Sequence, residues 1–317
     1  MLLIAGFAAA AASRPLSLTA RSRAPGDPPG IRTAKPEALA DRQLRSSTLS
    51  CACSPSPSPS PSPSPSPGDG GKGSGRHVFD NFSVLSPVVP WEVDDIWRIY
   101  AGYFFILHVP LSFGGLGVVA KVLNCSSLDP MTTVISTVVL QVAELCSALA
   151  LLQYTAVPGN DVQAFFATKV STRNWGNETI IGFMVLMALV SITSILGDKL
   201  AGTEDAYDPI LKGILSDSPS SKLLCFFLYC VIAPLSEETI YRGFLLNGLS
   251  SSMKWHEAAV MSSIAFSVAH LSGDSSIQLF VIGCITGLTY CRTGSLAASF
   301  TIHSLYNAVI LYMAVVS

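Results

Sequence analysis

Glu237 and Glu238 stand side by side, with Arg242 four positions after Glu238. The run around them is otherwise apolar, Leu223 to Ile232 before it and Phe244-Leu245-Leu246 after it. Even low estimates put a charge at the centre of a bilayer at about 2.5–3.5 kcal/mol, so an intramembrane acid pair is by default a functional site. Four-residue spacing stacks Glu238 and Arg242 on one helical face as an internal ion pair, whereas Glu237 points about 100° away and is left to face a cavity. The same spacing recurs twice downstream, in Phe266 with His270 and in His303 with Asn307. A carboxylate and an imidazole can take a proton from water, and an amide beside a second imidazole can donate to a carbonyl oxygen on which negative charge develops. Base, water and oxyanion clamp are what hydrolysis needs when no covalent nucleophile takes part. Phe266 reads as packing.

These residues need helices that cross a membrane. Of the 317 residues, 50% are hydrophobic and only 13% charged, against roughly 25% charged in an ordinary soluble domain. The fold expected is all-α, a polytopic transmembrane bundle of about seven helices. Its spans lie near 99–120, 131–153, 179–197, 223–247, 257–271, 276–291 and 296–316, the longer ones having the ~20 residues a bilayer core requires. Pro234 has no backbone N–H, which releases the carbonyl of Cys230 and should bend the fourth span just before Glu237. Trp91 and Trp97 among charges read as interfacial. Ile210, Leu211, Ile214 and Leu215 read as an amphipathic turn on the membrane surface. Lys and Arg are too sparse between spans to orient the bundle.

Residues 1–53 carry seven basic residues against three acids and are rich in Ser, the composition of an organelle transit peptide. A plastid is preferred, with the endomembrane system or ER as the alternative, because Leu2 to Ala12 could serve as a secretory apolar region. Residues 54–75 are a linker, first alternating Ser and Pro and then Gly-rich. Residues 76–221 carry the N-terminal transmembrane helices, and 222–317 carry the core that holds the polar motifs. Gly68 to Gly73 satisfies a dinucleotide-binding spacing, but no strand precedes it. The net charge of −2, with no basic cluster among aromatics, argues against nucleic acid as a partner. The eight cysteines are scattered; Cys146, Cys225, Cys230, Cys284 and Cys291 read as small buried residues of helices.

Glu237-Glu238-x-x-x-Arg242, Phe266-x-x-x-His270 and His303-x-x-x-Asn307, in that order on successive apolar spans, resemble the CAAX prenyl protease type II family. This is also called the ABI or CPBP family of glutamic intramembrane proteases, and the leader suggests a plant plastid-type member. The likeness covers roughly 222–313; upstream only the hydropathy is similar. It implies an endopeptidase in which Glu237 and His270 activate water, His303 and Asn307 polarise the scissile carbonyl and hold its oxyanion, and Glu238 and Arg242 support the helix. It also implies a membrane-associated or lipidated peptide substrate met in the bilayer. A plastid would separate the enzyme from prenylated tails made on the cytosolic side, so a plastid member would cleave another membrane-associated peptide.

Other chemistries fit less well. His256-Glu257 has Val260 where a zincin needs its second histidine, no serine is framed as G-x-S-x-G, and no aspartates pair within spans. No cofactor is expected, although zinc at Glu237, His270 and His303 is a chemically sound alternative. A non-proteolytic scaffold or chaperone-like protein that keeps the motif as a structural ion-pair network competes with the protease, and a proton-relay transporter is a further option. Gln141 and Glu144 match no motif, and His108 and His256 read as interfacial residues at span ends. Oligomeric state is left open.

Overall fold

In the computed structural model the structure describes residues 82–85, 88–166, 175–201, 209–273 and 275–316. The expected transit peptide (1–53) and linker (54–75) lie outside them. Nine helices make up the described chain: α1 Val93–Val122, α2 Pro130–Tyr154, α3 Val162–Phe166, α4 Trp175–Ala201, α5 Pro209–Asp217, α6 Pro219–Ser250, α7 Trp255–Ala269, α8 Ser276–Thr293 and α9 Leu296–Val316. No strand occurs among the described residues, and the fold is an all-α polytopic membrane bundle.

Helix starts follow local chemistry. Asp129 accepts from Thr132 N at 3.0 Å with Pro130 in the first turn, and Ser218 accepts from Ser221 N at 3.1 Å ahead of Pro219. In each case a side-chain oxygen caps an orphan N–H and a proline occupies a position that needs no donor. Gly294 ends α8 in the left-handed region at φ 66°, which a residue without Cβ adopts readily.

All seven expected spans are helical, but only five are long and apolar enough to cross a membrane: α1, α2, α4, α6 and α9. The 15 residues of α7 rise only about 22 Å, short of a ~30 Å hydrocarbon core. In α8 the threonines, glycines and Arg292 dilute the apolar sequence. These two pair closely instead: a Cβ on Gly283 would lie 2.9 Å from Ser263 Cβ and 3.0 Å from its Cα, the small-residue approach typical of membrane helices.

At the centre stands α6. Of its apolar window 44% is buried, against 11% for α1 and 17% each for α2 and α4. Tyr241, Phe244, Leu245 and Leu246 pack with Phe266, Ile302 and Tyr306 in one cluster. The face of α5 formed by Leu211, Ile214 and Leu215 joins Val134, Cys225, Leu228 and Leu311 in another; the expected amphipathic turn is therefore a helix packed on protein. Ile180, Ile181, Met184 and Ile192 of α4 face outward, as does Cys146 on α2, against expectation. Trp97 is exposed, but Trp91 is buried, its indole N–H donating to Leu152 O at 2.9 Å. That bond supplies a partner to a carbonyl near the end of α2, which outweighs an interfacial position for the ring.

Two helices contain wide turns with i→i+5 bonding, a geometry frequent at functional sites. In α1 they run over Tyr103–Gly114 around Pro110. In α6 they run over Leu228–Ile232 and Thr239–Leu246, on either side of the segment that carries Glu237 and Glu238.

Candidate active site

Where a bend and a freed Cys230 carbonyl were expected at Pro234, the structure shows a change of hydrogen-bond register that affects the Tyr229 carbonyl instead. Ala233 N–H reaches back to Leu228 O, which skips Tyr229, and the next residue able to serve the Tyr229 carbonyl is Pro234, which has no N–H. Asn307 fills the gap, its Nδ2 donating to Tyr229 O at 2.8 Å. Buried carbonyls are rarely left without a partner.

One turn before Asn307 on α9, His303 sits between the two glutamates. Its Nδ1 is 2.9 Å from Glu238 Oε1 and its Nε2 is 3.6 Å from Glu237 Oε2. Glu238 is also 3.0 Å from Arg242 Nη1, and all three side chains are almost fully buried. The Arg242 guanidinium donates to Thr286 and to Gly283 O on α8, and lies 4.6 Å from the Phe266 ring centroid. The Glu238–Arg242 ion pair stands as expected. The hold of Glu238 on His303 was not expected, because sequence spacing within α6 carries no information about α9.

His270 follows the last residue of α7. Its Nδ1 bonds Phe266 O at 2.8 Å, and its Nε2 is 3.8 Å from Glu237 Oε1. Tautomers are assigned from these partners: a carbonyl and a carboxylate accept only, so each Nδ1 carries a proton, and in the neutral ring each Nε2 then presents a lone pair. Three acceptors therefore converge, the Glu237 carboxylate and two imidazole nitrogens, and Glu237 Oε2 has no hydrogen-bond partner among the described residues. Spacings of 3.6 and 3.8 Å suit a donor shared among them, which a water molecule is.

Glu237 and His270 line a cavity of about 120 Å³. Its other wall comes from α1 and α2, and here the sequence reading needs correction. His108 is not interfacial: it lies in the wide-turn stretch of α1, which rotates it inward, with Nδ1 2.8 Å from Glu144 Oε1. Glu144 is buried and also accepts from Tyr103 at 2.8 Å and Ser112 at 2.7 Å, while Gln141 donates to Ser112 at 2.9 Å. The signal in the sequence was two ionisable groups of opposite tendency on adjacent apolar spans, each costly alone. His256 is exposed, as expected.

Zinc would need its nitrogen and oxygen ligands at about 2.0–2.2 Å. Among the described residues no set of three or more His, Cys, Asp or Glu is spaced for a metal ion.

Comparison with known proteins places the site in a family context. Residues 219–309 match the model for "Type II CAAX prenyl endopeptidase Rce1-like". An uncharacterized 24.3 kDa protein of Escherichia coli is 28% identical over 137 residues, 41% of this chain and 61% of that protein. The membrane-embedded CAAX protease MroQ of Staphylococcus aureus (strain USA300) is 25% identical over 138 residues, 42% of this chain and 55% of that protein. The chain thus spans less than two thirds of these relatives' length, and no solved structure matches it. Glu237, Glu238, Arg242, His270, His303 and Asn307 all fall inside the matched stretch, so the part of the chain that carries the site, residues 219–309, is the part similar to the Rce1-like type II CAAX prenyl endopeptidases.

Proposed function

We propose that the protein is an intramembrane endopeptidase of the CAAX-processing type, acting on a membrane-associated or lipidated peptide through a water molecule held by Glu237, His270 and His303. The observation that carries this reading is the convergence of the Glu237 carboxylate with two imidazole lone pairs at 3.6 and 3.8 Å. Three acceptors with no donor among them bind a water through its protons and turn its oxygen lone pairs outward. Glu237, backed by His270, takes one proton as the oxygen attacks the peptide carbonyl carbon. The hydroxyl stays on the acyl carbon and the proton is returned to the leaving amine nitrogen as the C–N bond breaks. On the way that same proton can rest on His303 Nε2, which then donates it as a hydrogen bond to the carbonyl oxygen before it goes to the amine, and the second N–H of Asn307 remains for the same charge. Glu238 and Arg242 fix the ring of His303.

Purified full-length protein in nanodiscs, given a fluorescence-quenched peptide with a farnesylated C-terminal CAAX sequence, tests this directly. Glu237→Ala and His270→Ala should abolish cleavage while expression persists, and activity retained in either variant defeats the proposal. Zinc at the same three residues would show as inhibition by a chelator, which the water mechanism does not expect. If a strain lacking the protein were rescued fully by Glu237→Ala, the scaffold or chaperone-like function would replace the protease. A plastid membrane remains the proposed location on the composition of residues 1–53, tested by import of a tagged precursor into isolated chloroplasts and protease protection.

A further inference from the structure

The end of α7, which delivers His270, is tied down by α1. Four carbonyls of its last turns are served locally or from outside: Val268 O by Leu271 N at 3.0 Å, Phe266 O by His270 Nδ1 at 2.8 Å, Ala265 O by the Tyr100 hydroxyl at 3.4 Å and Ala269 O by His108 Nε2 at 3.4 Å. Two of these donors belong to α1. The backbone turns sharply just beyond His270, where Leu271 adopts φ 48°. Left-handed backbone at a bulky residue persists only when its surroundings hold it there.

His108 is the donor next to His270, and both of its ring nitrogens face acceptors. Nδ1 meets the Glu144 carboxylate and Nε2 meets the Ala269 carbonyl. The carbonyl can only accept, so Nε2 carries a proton toward Ala269 O, while the Glu144 carboxyl group holds the ring from the other side through Nδ1. Tyr103 and Ser112 fix that carboxylate in turn. The chain of contacts runs from α2 through Glu144 and His108 to the peptide unit immediately before His270. We infer that His108, clamped by Glu144, is a positioning residue for the reaction: it holds the end of α7 so that the His270 imidazole keeps Nδ1 on Phe266 O and Nε2 on Glu237. This rests on the proposed hydrolytic function for its effect on rate, but not for its effect on the geometry of His270.

Two readouts on the full-length protein in nanodiscs test it: steady-state cleavage of the farnesylated quenched peptide, and nitrogen NMR of ring-labelled histidine, with the His270 signal assigned by its loss in His270→Ala. His108→Leu should lower kcat about 10- to 100-fold, the cost of a misplaced catalytic group, with KM little changed, and should shift or split the His270 signal. His108→Gln, whose amide nitrogen can reach the Nε2 position, should restore most of both. Where His108→Leu does not fold, Glu144→Gln decides, with the same paired change expected. With an active wild type, a variant that changes neither readout, or only one, overturns the inference. If the wild type cleaves no probe peptide, the hydrolytic proposal fails separately, and an unmoved His270 signal in His108→Leu or Glu144→Gln still overturns the positioning role.

Discussion

Asn307 Nδ2 donates to the carbonyl of Tyr229 across the bundle at 2.8 Å, and the reason is Pro234. The proline removes the N–H that the wide-turn register of α6 would have offered that carbonyl, so a side chain from α9 supplies it. The amide that sequence reasoning assigns to the oxyanion therefore has one donor committed to the scaffold. Asn307→Ala should lose about 0.5–1.5 kcal/mol of stability by removing this buried hydrogen bond between α9 and α6. Thermal unfolding in detergent measures it, and a variant as stable as the wild type would show that the bond is not what closes the gap.

Arg242 offers a second check. It is buried with Glu238 and stitches α6 to α8. Removing one member of a buried pair leaves a bare charge, at a cost of about 3–5 kcal/mol. Arg242→Ala should therefore lower folded yield sharply, whereas Glu238→Gln with Arg242→Met, which removes both charges, should recover much of it. Size-exclusion profiles and melting curves of the two variants read the difference, and equal yields would contradict it.

Much of α6 was legible because its chemistry is local: an acid pair in an apolar run, a proline four residues after Cys230, and Arg242 one turn after Glu238. His270 and His303 could be grouped with it through matching motifs on later spans. What could not be read is what depends on register between helices. Wide turns over Tyr103–Gly114 break the 3.6-residue period, so periodicity could not show that His108 faces inward to Glu144. The partner that Glu238 finds in His303 is likewise a property of packing. Hydropathy also overstated α7 and α8, whose role is close mutual contact rather than span length.

That contact gives a third prediction. Gly283 meets the Cβ and Cα of Ser263 so closely that an added methyl has nowhere to go, because one neighbour is backbone. Gly283→Ala should cost about 1–3 kcal/mol through overpacking. It should also disturb Arg242, whose guanidinium donates to Gly283 O. Ser263→Gly in the same chain removes the Cβ and hydroxyl but leaves the Cα at 3.0 Å, so it should relieve the clash in part, and melting temperatures of the single and double variants would show it; no recovery in the double would place the strain elsewhere.

Glu237→Gln separates chemistry from scaffold. The amide keeps the shape of the carboxylate but cannot take a proton from water, and general-base catalysis of this kind is worth about 10²–10⁴ in rate. Cleavage of the quenched peptide should fall by that factor. Stability should hold, because among the described residues Glu237 makes no direct hydrogen bond through Oε2, stands beyond hydrogen-bond distance from both imidazoles, and pairs with no arginine, unlike Glu238. An amide N–H turned toward either Nε2 even supplies the donor that this cluster of acceptors lacks, so the melting temperature should stay level or rise while activity collapses. A parallel loss of both would place Glu237 in the scaffold with Glu238 and Arg242, and the water-activating role would then need another base.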